Sequence, residues 1–86
     1  MEIAKTVSDF LEMPYDTAMD IPKIVMLGAH KIYIENYSSL IEYKKEDIKL
    51  KYKTGIIEIY GNGFEIKGIG EGNIVISGKI SGVKLI

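Results

Sequence analysis

The chain has one histidine, no cysteine and no arginine, and those counts limit the chemistry open to it. His30 closes the stretch Gly28-Ala29-His30. A zinc site needs several His, Cys or carboxylate ligands together, and a general base needs a nucleophile in reach. The sequence places neither beside His30, which reads as a solvated turn residue. Glu46 and Asp47 adjoin each other. Paired carboxylates do acid–base work when their surroundings push their pKa values apart; following Lys44 and Lys45, this pair reads as a polar turn. Gly61-Asn62-Gly63 and Gly68-Ile69-Gly70-Glu71-Gly72 lack the GK[ST] of a phosphate loop and the βαβ setting of a dinucleotide fingerprint. The expectation is no catalytic residue, no cofactor and no metal, so not an enzyme.

Two other patterns could bind rather than react. Lys49, Lys51 and Lys53 project from one strand face with Lys44 and Lys45 nearby, and could meet an anionic surface. Tyr33, Tyr43, Tyr52 and Tyr60 could stack on bases. Against this, arginine is the preferred fork for phosphates and base edges, and it is absent. Charge is also uneven: residues 1–22 carry five acids and one lysine, a balance of −4, while residues 23–86 carry ten lysines and seven acids, a balance of +3. The lysines read first as a solvated face that discourages edge-to-edge association. The tyrosines read as packing or interface residues, and no nucleic-acid partner is expected.

Behind these residues stand two kinds of element. Ile3, Val7, Phe10 and Leu11 fall at i, i+4, i+7 and i+8, one face of a helix over residues 1–13. So short a helix is marginal alone and needs a partner surface, on its own β body or on another chain. These four residues are the candidate interaction residues. The acidic polar face argues against anionic lipid. Pro14 ends the pattern, and residues 14–22 form a turn-rich link. The N-terminus lacks a basic, apolar leader, and no apolar run approaches the roughly 18–20 residues of a membrane span, so a soluble protein without a transmembrane segment is expected.

From Lys23 to the end the period is two, which makes residues 23–86 a β domain. The spacing predicts strands at Lys23–Leu27, Lys31–Glu35, Leu40–Tyr43, Ile48–Lys53, Ile56–Tyr60, Gly63–Lys67, Asn73–Ser77 and Lys79–Leu85. Turn signals separate them at Gly28-Ala29-His30, Asn36 to Ser39, Thr54-Gly55, Gly61-Asn62 and Gly68 to Gly72. The expected fold is mainly β: an antiparallel meander of about eight short strands forming a small sandwich or open barrel. Sixteen isoleucines supply the core. A stacked, solenoid-like sheet is the second arrangement the spacing allows.

From about Asp20 onward the chain resembles the YabP/YqfC family of sporulation proteins. The residues that carry the likeness are Asp20-Ile21-Pro22-Lys23-Ile24, Leu27-Gly28 and Ile34-Glu35-Asn36-Tyr37. They continue through Leu40-Ile41-Glu42-Tyr43, Ile48-Lys49-Leu50 and Gly55. The series ends with Ile59-Tyr60-Gly61, Phe64-Glu65-Ile66 and Ile76-Ser77-Gly78-Lys79-Ile80. The first nineteen residues look like the short helical lead of the YqfC branch. The resemblance implies a structural or assembly role in spore envelope or coat morphogenesis, on the mother-cell side of the developing spore. It implies other sporulation proteins as partners, membrane-associated ones among them, with peripheral placement at the forespore envelope. Self-association through an edge strand or the N-terminal helix is expected on other grounds, because a small domain of many short strands has edges to manage. It carries over no catalytic residue. A small β-barrel module binding a ligand or nucleic acid is the alternative.

Overall fold

The computed structural model describes Phe10 and residues 20–86. Apart from Phe10, the expected helix over residues 1–13 lies outside the described residues, as does most of the link 14–22. Within 20–86 there are six strands: β1 (Lys23–Leu27), β2 (Lys31–Glu35), β3 (Ser39–Tyr43), β4 (Asp47–Tyr52), β5 (Gly55–Gly70) and β6 (Asn73–Leu85). They form one antiparallel sheet in the order β1-β2-β6-β5-β4-β3, and its two end strands do not pair, so the sheet is open.

The frame is the long β5–β6 ribbon, bent in its middle. The first half of β5 pairs with the last part of β6, Ile57 with Leu85 and Ile59 with Val83. Beyond the bend, Ile66 pairs with Ile76 and Ile69 with Ile74. Between these runs the register shifts at Tyr60/Gly61 and Asn62/Glu65, and it shifts again within the second at Ile66/Gly68. Such bulges bend a strand and sharpen its twist.

A hairpin is added to each half of the ribbon. The β1–β2 hairpin pairs through β2 with Asn73–Ser77 of β6, and the β3–β4 hairpin pairs through β4 with Gly55–Tyr60 of β5. Both hairpin turns then bond to the bend. The amides of Gly78 and Ile80 donate to the carbonyls of His30 and Ala29, at 3.0 and 2.8 Å. The amides of Gly61 and Phe64 donate to the carbonyls of Glu46 and Lys45, at 3.0 and 2.9 Å. The two halves are thus related by an approximate twofold, visible also as Ile57-x-Ile59-x-Gly61 and Ile74-x-Ile76-x-Gly78.

Alternation sends Ile32, Ile34, Ile74 and Ile76 inward from one half, and Ile48, Leu50, Ile57 and Ile59 from the other. Phe64 and Ile80 fill the crease, and all ten belong to one buried cluster with Tyr37. Each fully buried aliphatic side chain contributes about 1.5–3 kcal/mol. Asn36-Tyr37-Ser38 alone link β2 to β3 across the open side, with Asn36 left-handed at φ 72°.

Close approach at the crease accounts for two glycines. A Cβ on Gly61 would lie 1.9 Å from the carbonyl oxygen of Lys79. One on Gly78, at φ 149°, would lie 2.7 Å from the Phe64 ring.

The β-rich, antiparallel character stands as expected, and β1 and β2 have their expected bounds. Three expectations are corrected. Eight short strands become six, because Ile56–Tyr60 and Gly63–Lys67 are one strand, as are Asn73–Ser77 and Lys79–Leu85. Gly61-Asn62 is therefore paired within β5, opposite Ile80 and Lys79, with the bulge following at Gly63-Phe64, and is not a hairpin turn. The hairpin lies at Glu71-Gly72, between the paired Gly70 and Asn73, and not in a long loop from Gly68 to Gly72. The simple meander holds for β3 to β6 only, since β6 lies between β2 and β5.

Candidate interaction site

The outer face of the β3–β4 half carries a row of alternating charge. Glu42 stands opposite Lys49, Lys49 opposite Glu58, and Glu58 opposite Lys84, across four strands. Cross-strand neighbours of opposite charge support one another. Lys49 Nζ lies 3.0 Å from Glu42, 3.5 Å from Asp47 and 3.8 Å from Glu58. Lys44 holds the other Glu42 oxygen at 3.0 Å. The hydrogen bonds from Lys49 and then Lys44 hold the Glu42 carboxyl below the usual carboxylate range. The hydrogen bond to Glu42, with the charge of Asp47, raises Lys49. The second Asp47 oxygen is out of solvent with no hydrogen-bond partner among the described residues, a cost this row carries.

The lysine strand is therefore not a free cationic stripe. Lys49 is surrounded by carboxylates, and Lys53 bonds Asp20 at 2.7 Å. The four tyrosines do not share a platform either. Tyr33 is on the outer face of β2 and donates to Glu35 at 2.6 Å, a bond that raises its pKa. Tyr43 donates to the Phe64 carbonyl at 3.2 Å. Tyr52 packs against the core. Tyr60 lies across Gly82, with Lys84 5.3 Å from its ring centre. Scattered over two halves and both faces, they offer no run of stacking surfaces. This is the physical objection to the base-binding alternative.

His30 is an exposed turn residue, and Glu46 lies in the β3–β4 turn, as their sequence setting indicates. Among the described residues, no group of three or more His, Asp or Glu is arranged to hold a metal ion. No described helix is long and apolar enough to cross a membrane. Of the four candidate interaction residues, Ile3, Val7 and Leu11 lie outside the described residues, and Phe10 is 81% exposed.

The strand edges differ more than the faces do. β3 is an end strand with a bulge between Leu40 and Glu42, and Glu42 brings a charge to it. The end of β5 has a bulge between Ile66 and Gly68 and a Glu65–Lys67 pair at 2.7 Å. The end of β6 carries Lys79 and Lys84, and the β1–β2 turn covers its start. β1 carries one charge, Lys23 at its start, and no bulge. Its register with β2 is unbroken from Lys23↔Glu35 to Leu27↔Lys31. Beyond Lys23 it is Ile24-Val25-Met26-Leu27, with Val25 40%, Met26 42% and Leu27 65% exposed. Sequence reading found this strand but not its edge position, which depends on which strands pair.

The stretch that builds this body, residues 20–86, matches the model of the YabP family. The chain belongs to the YabP family. It is also 38% identical over 76 residues to the uncharacterized protein YqfC of Bacillus subtilis (strain 168), covering 88% of this chain and 82% of that protein. The YabP match begins at Asp20 and so takes in the six strands, the crease and both hairpins. The YqfC alignment, at 76 residues against 67 in the span 20–86, extends into the lead.

Proposed function

We propose that this YabP-family protein is a non-enzymatic assembly component of spore envelope or coat morphogenesis, working through protein–protein contacts on the mother-cell side of the developing spore. The sporulation setting rests on the family. The observation that carries the assembly reading is the surface itself. Its central charged groups, Lys49, Glu42 and Glu58, are engaged with one another, while Val25, Met26 and Leu27 expose aliphatic side chains along an end strand without a bulge. Exposed apolar patches of this kind mark interaction sites. The lead, with Phe10 exposed, is a second contact element.

Removing the gene from its endospore-forming host tests the reading. Heat-resistant spores should fall sharply, and a fluorescent fusion should collect at the forespore boundary in the mother cell. Normal spore counts with a diffuse fusion would contradict it.

A further inference from the structure

We infer that β1 is the contact through which two copies of this chain pair, edge to edge and antiparallel about a twofold axis at Val25, joining two six-stranded sheets into one. The inference deepens the assembly reading by naming a partner, and needs nothing from the sporulation setting.

The first support is the difference between edges. Exposed edges template pairing unless bulges, charges or covering loops prevent it. β3 and the ends of β5 and β6 each carry a bulge or a covering turn, whereas the register of β1 is unbroken and its one charge, Lys23, stands at its end. Beyond β1 the sheet has no further described strand.

The second support is self-complementarity. A twofold at Val25 is the register that pairs all five residues of β1, with Lys23 opposite Leu27 of the second copy and Ile24 opposite Met26. It also keeps core-facing side chains beside core-facing ones, because pairing Ile24 with Met26 preserves the alternation. Existing rungs then extend without a break. On the inner face, Ile34, Ile24, Met26 and Ile32 run across the junction, the first two from one copy and the last two from the other. On the outer face the row is Tyr33, Val25, Val25, Tyr33. No like charges are directly opposite, since Lys23 faces Leu27. The half-exposed Met26 and Val25 gain apolar neighbours on the side where they lack them.

The absence of cysteine from the chain makes the test clean. The full chain, at 9.6 kDa, should show twice that mass by light scattering at high concentration and dissociate on dilution. Val25→Lys sets two ammonium groups face to face at the twofold, and should weaken the dimer roughly tenfold or more. Val25→Cys should be captured as a dimer by a short bis-maleimide, much faster than Ile41→Cys on β3. A monomer at high concentration overturns the inference, as does an unaltered dimer with Val25→Lys or equal capture at both cysteines. If Val25→Lys does not fold, the cysteine pair decides alone. Failure here leaves the spore count of the deletion strain unaffected, so the two readings fail separately.

Discussion

The β1–β2 and β3–β4 hairpins are built alike and finished differently. Each adds an inner strand to one half of the bent ribbon, each points two aliphatic side chains into the shared core, and each ties its turn to a bulge at the crease. Ile32 and Ile34 of one match Ile48 and Leu50 of the other. Each outer strand carries one charge, Lys23 or Glu42, and exposes apolar side chains, but β3 is bulged and its charge sits mid-strand, whereas β1 is regular and its charge sits at the end. The core needs both hairpins equally, so burial does not explain the difference. Edge protection does, because it acts between molecules and not within one.

The largest expected effect attacks what the halves share. Phe64 is fully buried at the crease, and Phe64→Ala should lower stability by about 3–5 kcal/mol in urea unfolding. Loss of one half alone, as a two-step transition, would break the idea of a common core. Next come the crease glycines. Gly61→Ala and Gly78→Ala each push a methyl group into a backbone carbonyl or the Phe64 ring, and each should cost about 2–3 kcal/mol. A large cost at one and none at the other would refute the twofold likeness. Smaller and matched, Ile32→Val and Ile48→Val should each cost about 0.5–1.5 kcal/mol.

The smallest effect separates the hairpins. Glu42 on β3 titrates below its ordinary value because Lys49 and Lys44 favour its charged form. Its contribution is therefore present above the unfolded pKa, about 4.3, and is lost as pH falls through the lower folded value. Unfolding followed from pH 6 to pH 3 should show a shallower loss for Glu42→Gln than for the parent chain. Identical pH profiles would remove the charge row from the account.

Much of this architecture is legible in local sequence. The strict alternation of Ile48-Lys49-Leu50-Lys51 marks β4 and its buried face, and Gly28 and Asn36 mark real breaks with positive φ. What fails is what depends on the strand opposite. Asn62-Gly63 has the composition of a hairpin turn, but β6 lies alongside and continues the ladder, so the same glycine, at φ 66°, serves a bulge. The Ile-x-Ile-x-Gly likeness is too short to stand as a repeat in sequence, and gains meaning only because both glycines lie at one crease. At the candidate site, Glu42 and Glu58 lie seven and nine residues from Lys49 in sequence and reach it only through pairing. β1 reads plainly as a strand, yet nothing local says that it ends the sheet of described strands.

Amide hydrogen exchange on the full chain, followed by NMR as protein concentration rises, tests the contrast between edges most directly. The account predicts that the outward amides of Lys23–Leu27 slow with concentration while those of Ser39–Tyr43 stay unchanged. Fast exchange in β1 at every concentration, or protection appearing first in β3, would contradict it.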